Sequence, residues 1–342
     1  MNGTINFGII GAGRWGEAHA DVYTTHPSAA LVAVSDPDTA RAERIAGRYG
    51  AEKVFSDYEE MVRDPAVDAV AVVTPDFAHR APIVAAAQAG KAVITEKPIA
   101  TTWEDAQAIS QAVRASGVPF MVDFHNRWSP PIAIARDDIS KGTLGEVISA
   151  YYRLNDTLSV PTQMLSWAAG SSILWFLGSH TVDTLRYLFQ DEVARVYSVT
   201  RSGVLRKLGI DVPDIYQCIL EFRSGIIATI ENHWIIPNSH PMLNDIKINI
   251  LGSKGMLNMD LTNNQMMERY LEDKSDHPDC LVKPQIHGKN MGFAYESIRS
   301  FVDCLAAGRT PLVGLEDGLN TTRVILAIME SASARQPVEV SY

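Results

Sequence analysis

Residues Thr4-Ile5-Asn6-Phe7-Gly8-Ile9-Ile10 run directly into Gly11-Ala12-Gly13-Arg14-Trp15-Gly16. The first seven are rich in β-formers, and a helical pattern continues from the glycines through Ala18 and Tyr23. The order predicts a strand, a tight turn and a helix. G-x-G-x-x-G in that context carries a mechanism. Gly11 permits the turn, Gly13 lets backbone approach a pyrophosphate, and Gly16 lets the helix pack close to the sheet. The helix N-terminus then offers unpaired N–H groups to phosphate, with Arg14 and Trp15 beside it.

A second strand, 29–35, ends at Asp36, 20 residues after Gly16. A carboxylate there accepts hydrogen bonds from ribose hydroxyls and repels a 2′-phosphate. The expected cofactor is therefore NAD, with NADP less favoured. Arg41 and Arg44 on the next helix act against that preference.

The alternation continues outward. Helix 39–49, strand 67–73, helix 80–89, strand 92–95, helix 102–115 and strand 118–124 follow. Apolar strands separated by helices predict a doubly wound parallel sheet, a Rossmann domain over 1–124. Beyond it the strands lengthen: 146–154, 194–202, 213–223, 225–236 and 245–251. Helical stretches fall at 171–189, 291–307 and 316–333. This predicts an α+β domain over 125–342, built on an open, mostly antiparallel sheet. Its bare face suits a second copy of the chain, so a homo-oligomer (dimer or tetramer) is expected.

Composition narrows the classes. The chain has 342 residues, 46% hydrophobic, with 30 basic against 40 acidic side chains and a formal charge of −10. With no basic block, neither nucleic acid nor an anionic membrane is an expected partner. Cys218, Cys280 and Cys304 are too scattered for a disulfide framework or a thiolate metal site. No apolar run reaches the ~18 residues a span needs. A strand beginning at Thr4 leaves no room for a signal peptide, so a reducing, cytoplasmic setting is expected. No metal-ligand spacing stands out among the nine histidines.

Two further stretches carry a resemblance: Val72-Val73-Thr74-Pro75-Asp76-Phe77-Ala78-His79, and Ala89-Gly90-Lys91-Ala92-Val93-Ile94-Thr95-Glu96-Lys97-Pro98. With Gly178-Ser179-His180-Thr181-Val182-Asp183 and Gly252-Ser253-Lys254-Gly255, the chain closely resembles the glucose-fructose oxidoreductase / inositol dehydrogenase / rhizopine-catabolism (Gfo/Idh/MocA) family over nearly its whole length. The resemblance implies a two-domain NAD(P)-dependent oxidoreductase acting on sugars, inositols or related polyols. It implies Lys97 near nicotinamide and substrate, His180 at the reacting hydroxyl, and Thr74, Pro75, His79 and Glu96 beside the cofactor. The chemistry agrees. The cofactor carries the hydride, while the protein positions the C–H and manages the hydroxyl proton. A lysine buried near a positive nicotinamide ring becomes a better base, and a histidine relays protons near neutral pH.

One position departs from the family pattern. Many members carry an Asp four residues before the histidine, where this chain has Phe176. On a continuous α-helix Phe176, His180, Asp183 and Tyr187 would share a face. Three outcomes follow: Lys97 and His180 suffice, another carboxylate (Asp183, Asp156 or Asp123) substitutes, or the site binds without turnover. The alternatives to a dehydrogenase are thus a non-catalytic NAD/sugar sensor and an NAD-dependent glycosidase on the same fold. Substrate-side candidates are Asn126, Arg127, Trp128, Asn155, Asp156, Trp167, Trp175, Asp183, His233 and Trp234, with His287 and Tyr295 as weaker ones. Aromatic faces and Asn, Asp and His edges suit a ring bearing many hydroxyls.

Overall fold

The computed structural model describes residues 3–262, 267–273 and 275–342. Contacts divide the chain into two units, Met1–His125 with Gln285–Thr322, and Asn126–Pro284 with Arg323–Tyr342.

The first unit holds a six-stranded parallel sheet in the order β3-β2-β1-β4-β5-β6. Its strands are β1 (Ile5–Ile10), β2 (Ala29–Ser35), β3 (Lys53–Phe55), β4 (Ala69–Val72), β5 (Ala92–Thr95) and β6 (Phe120–Val122). The connecting helices are α1 (Arg14–Thr25), α2 (Thr39–Tyr49), α3 (Tyr58–Arg63), α4 (Arg80–Gln88) and α5 (Trp103–Ser116). Every residue of β4 and β5 is buried, as in a sheet covered on both faces. The doubly wound sheet is therefore as the alternation predicts. β3 was missing from the pattern because three residues are too few for a period to show.

The later segment 285–322 returns to this unit, whereas a single cut after residue 124 would give it to the other. It carries α8 (Phe293–Ala307). Phe301 of α8 meets Phe7 of β1 edge-on at 6.3 Å, and Phe7 stacks on Tyr23 of α1 at 3.9 Å. Val122 donates its N–H to the Val313 carbonyl at 3.3 Å. This return is a long-range packing event with no local signal.

The second unit is built on a seven-stranded sheet in the order β12-β11-β7-β10-β9-β8-β17. Its strands are β7 (Val147–Asp156), β8 (Val193–Arg201), β9 (Ile215–Phe222), β10 (Ile227–His233), β11 (Asn244–Gly252), β12 (Met256–Asp260) and β17 (Val338–Glu339). All neighbours are antiparallel except β7 and β10, which run parallel. Two tiny hairpins complete the strand list, β13 (Arg269–Tyr270) with β14 (Ser275–Asp276), and β15 (Gln285–Ile286) with β16 (Lys289–Asn290).

One sheet face is covered by α6 (Pro130–Ser140), α7 (Ser179–Phe189) and part of α9 (Leu315–Ala334). Val182, Leu185, Leu188, Val324 and Ile328 pack there on Tyr152, Leu220 and Ile230. Alternation along β9 buries Tyr216, Cys218 and Leu220 while Gln217 and Ile219 face out. Ile148, Tyr197, Val199, Ile219, Ile227 and Leu251 are all exposed. The expected helix 171–189 is helical from Ile173 but not uniformly α. Leu174–Gly178 form a π-helical turn before α7 begins. Its wider i→i+5 spacing removes the simple one-face relation between Phe176 and His180.

The glycines of the first turn divide by what surrounds them. A Cβ on Gly16 would stand 2.3 Å from the Gly11 carbonyl oxygen, and Gly11 has φ +108° with Val73 backbone 2.7 Å from its own Cβ direction. A Cβ on Gly13 meets nothing within 4 Å. Gly16→Ala should therefore cost roughly 1–3 kcal/mol by overpacking, seen as a melting temperature several degrees lower. Gly13→Ala should melt within about one degree of wild type, since open surface sites change stability little. Equal melting of all three proteins would contradict this packing.

Candidate functional site

The loop between β1 and α1 is held by backbone and by one carboxylate. Gly11 N–H bonds to the Ser35 carbonyl at 2.8 Å, and Val73 N–H to the Ile10 carbonyl at 2.9 Å. Asp36, at the end of β2, accepts from the N–H of Ala12 at 2.7 Å and of Asp38 at 2.9 Å. It thus sits at the expected ribose position and also braces the glycine turn. Gly13 and Arg14 are exposed and Trp15 half-buried. The open flank of Gly13 is the one along which a pyrophosphate can approach backbone. The residues present fit a dinucleotide. Arg41 pairs with Asp38 at 3.0 Å, and Arg44 lies 4.0 Å from Glu17. Both arginines therefore have carboxylate partners, which weakens them as 2′-phosphate ligands.

The loop after β4 and the segment after β5 are tied by one side chain. His79 is fully buried, with Nδ1 2.7 Å from the Pro98 carbonyl and Nε2 3.0 Å from the Thr74 carbonyl. Burial pushes its pKa down to about 4; the two carbonyls oppose the shift, and the Lys97 charge adds to it. His79 is accordingly a latch rather than a proton carrier. The neutral ring donates its one N–H to one of these carbonyls and packs against the other, between the Thr74 loop and the segment that carries Lys97. Thr74 Oγ1 also donates to the Ala78 carbonyl at 3.3 Å. Glu96 and Lys97 are both buried, at the C-terminal end of β5. In doubly wound sheets ligands bind beyond the carboxyl ends of the strands. The Trp15 ring stands 5.2 Å from that of His125, which stands 5.8 Å from Phe293.

In the second unit His180 lies in the first turn of α7, only 5% exposed. Arg127 and Asp183 are committed to each other. Nε and Nη2 of the guanidinium reach the two carboxylate oxygens at 3.0 and 2.6 Å, and both residues are buried. The guanidinium also lies 5.0 Å over the Tyr187 ring. Such a bidentate pair is a framework for the helix beside His180 more readily than a substitute for the acid absent at Phe176. Asp156 accepts from the Asn244 side-chain amide. Asn155 donates to Glu231 at 3.0 Å and accepts from the His233 N–H at 2.9 Å. Burial lowers the His233 pKa against the pull of Glu231.

Glu231, which bridges Asn155, Gln217 and His233, was not singled out in the sequence. Its place in the strand pattern resembles that of any half-exposed glutamate. Phe176 is half-buried between Trp167 at 6.2 Å and the wholly buried Trp234 at 5.8 Å. Trp167 and Phe176 together offer an apolar face where the family pattern has a carboxylate. Trp175 is core, Asn126 and Trp128 are half-buried, Tyr295 is buried and His287 is exposed. Asp123, the third carboxylate considered in place of the missing acid, belongs to the first unit. There it meets Glu96 and His19, a grouping the sequence reading did not make.

The Arg127–Asp183 pair gives a stability test. Asp183→Ala removes the bidentate carboxylate from a buried guanidinium and should cost about 3–5 kcal/mol. Replacing both with Met and Leu should recover most of that. Chemical denaturation of the single and double variants measures the difference. A double variant as unstable as the single one would contradict the assignment.

Comparison with known proteins agrees with this geometry. Residues 5–124 match the model of an oxidoreductase family with an NAD-binding Rossmann fold, and 136–340 that of its C-terminal alpha/beta domain. An NAD(+)-dependent scyllo-inositol 2-dehydrogenase of Bacillus subtilis (strain 168) is 29% identical over 348 residues, covering 99% of this chain and 97% of that protein. An inositol 2-dehydrogenase of Rhizobium meliloti (strain 1021) is 30% identical over 345 residues, covering 99% and 100%. A solved levoglucosan dehydrogenase in complex with NADH superposes with a TM-score of 0.83 at 26% identity, covering 99% of each chain. With an intact glycine turn, Asp36 at the end of β2 and both domain types in order, the chain belongs to the Gfo/Idh/MocA oxidoreductase family, with an NAD-binding Rossmann domain followed by the family's C-terminal alpha/beta domain.

Proposed function

We propose that this protein is an NAD-dependent dehydrogenase that oxidises a secondary alcohol of an inositol or a related cyclic polyol or sugar. The observation that carries it is the intact glycine turn with an open Gly13 flank, in the same unit as a buried Lys97 at the end of β5. The inositol and levoglucosan dehydrogenases among its relatives support the substrate class. The non-catalytic sensor and the glycosidase have no comparable support among the named relatives.

NAD, when bound, accepts the hydride. The Gly11–Gly16 turn and the N-terminus of α1 hold the diphosphate, with Arg14 and Trp15 at its side, and Asp36 takes the ribose hydroxyls. Thr74, Pro75 and the His79 latch fix the neighbouring loop, with Glu96 preceding the base. Lys97 takes the hydroxyl proton, and His180 assists at the same hydroxyl, by general base catalysis worth typically ~10²–10⁴-fold. Arg127, Asn155, Asp156, Trp167, Asp183 and His233 shape the substrate side. Phe176 and Trp167 favour a ring that presents a C–H face to them, with hydroxyls at its edge.

A homo-oligomer formed through the outer face of the second unit's sheet is part of this proposal. Tyr197 pairs with Ile219 across β8 and β9, and Ile148, Val199, Ile227 and Leu251 lie on the same exposed side. Apolar area of that kind on a sheet marks an association surface. Among the described residues, no helix is long and apolar enough to cross a membrane. Cys218, Cys280 and Cys304 are free thiols, which suits a cytoplasmic setting.

Two measurements test these statements. The purified protein should form NADH from at least one member of an inositol, pyranose and anhydrosugar panel. Lys97→Ala should lower kcat at least about 100-fold while NAD binding persists. No NADH from any member, together with no keto-sugar reduction by NADH, would overturn the dehydrogenase. For assembly, Ile219→Glu should lower the mass seen by sedimentation. A wild type that sediments as a monomer would overturn the oligomer.

A further inference from the structure

The residue before Lys97 belongs to a buried polar cluster. His19 comes from α1, Glu96 from the end of β5 and Asp123 from the end of β6. Their nitrogen and oxygen atoms lie within 4.8 Å of one another, with His19 Nε2 3.9 Å from Glu96 Oε1. His19 and Asp123 are wholly buried and Glu96 is 5% exposed. His19 Nε2, Glu96 Oε1 and both Asp123 oxygens make no hydrogen bond of normal geometry to protein. Two ionised carboxylates buried together with so little compensation are costly, so the site must hold a proton or a cation.

The spacing separates these two. Donors around a tetrahedral zinc with bonds of ~2.1 Å stand about 3.4 Å apart. Partners of one bridging water, with hydrogen bonds of ~2.8 Å, stand about 4.6 Å apart. The measured His19 Nε2 to Glu96 Oε1 distance, 3.9 Å, exceeds that of a closed zinc set, and every pair in the cluster lies within 4.8 Å. Tyr23 supports the arrangement, since its hydroxyl lies 2.8 Å from His19 Nδ1 and leaves Nε2 to face the carboxylates.

We propose that His19, Glu96 and Asp123 form a buried proton store that takes up the proton released by alcohol oxidation, passed on from Lys97. This rests on the assignment of Lys97 as the first acceptor. The step balances. The substrate O–H bond breaks and an N–H bond forms on Lys97 as the hydride leaves for NAD. That N–H bond then breaks and an O–H bond forms on one carboxylate. Lys97 is the next residue to Glu96, and its charge acts on both carboxylates. Glu96, Asp123 and His19 are here positioning residues that act through Lys97.

The charge environment agrees. Burial raises the Glu96 carboxyl to about 7, opposed by the Lys97 charge and backbone N–H. Burial and then the Glu96 charge raise Asp123 to about 7, opposed by His19, Ser297 and Lys97. Burial lowers His19 to about 4, so the ring stays neutral and the proton belongs to the carboxylate pair. The groups facing the cluster are His19 and Tyr23 from α1, Glu96 and Lys97 after β5, Asp123 after β6, and the Ser297 hydroxyl from α8.

Infrared difference spectra of the unliganded protein between pH 6 and pH 8 should show a protonated carboxyl band that Asp123→Asn diminishes. This readout needs no turnover. In the oxidation assay, kcat should rise with pH through a limb near 7, because only the ionised store accepts a proton. Asp123→Asn frees Glu96 from a like charge and should move that limb down by about one pH unit; Asp123→Glu should restore it. Absence of the titrating band in the wild type would overturn the store. So would a uniform rate loss in Asp123→Asn with the limb unmoved, or a stoichiometric metal in elemental analysis of the wild type. If the band is present but Lys97→Ala keeps full activity, the store stands and its coupling to Lys97 fails.

Discussion

The approach of α1 to the end of β1 governs the first unit. Gly16 lies so close to the Gly11 carbonyl that no side chain can intervene, and Gly11 occupies a backbone region open to few other residues. That contact aims the N–H groups of the first helical turn along the open side of Gly13. Asp36 then closes the turn through the Ala12 N–H. The same carboxylate that is proposed to read the ribose therefore also shapes the glycine turn. A substitution at Asp36 would disturb both, which complicates any simple swap of cofactor preference.

Buried charge is managed differently in the two units. In the second, Arg127 and Asp183 satisfy each other through a bidentate pair, and Arg186 does the same with Glu192 at 2.6 Å for both contacts. These pairs fix α7, on whose first turn His180 sits. In the first unit burial raises Glu96 and Asp123 toward neutral pH, opposed by the Lys97 charge. Framework pairs resist titration, whereas the Glu96–Asp123 arrangement invites it.

The parallel sheet and the nucleotide turn were legible because their signals are local. The order of Gly11, Gly13, Gly16 and Asp36 needs only one βαβ unit to be read. Strand β3 was too short to register, and the return of Phe301 to Phe7 is a contact nearly three hundred residues apart in sequence. The π-helical turn at Leu174–Gly178 defeated the assumption of one helical face through Phe176 and His180. His19 escaped notice because a histidine inside an amphipathic helix resembles an ordinary core residue; only the sheet brings it to Glu96 and Asp123. The role of Glu231 was hidden for the same reason, since its partners arrive from three strands.

Calorimetric titration of the unmodified protein with NAD and, separately, with NADP tests the central claim most directly. The account predicts one NAD site per chain and affinity for NADP at least about tenfold weaker, the carboxylate of Asp36 opposing a 2′-phosphate. Heat from neither coenzyme, or tighter binding of NADP, would contradict it.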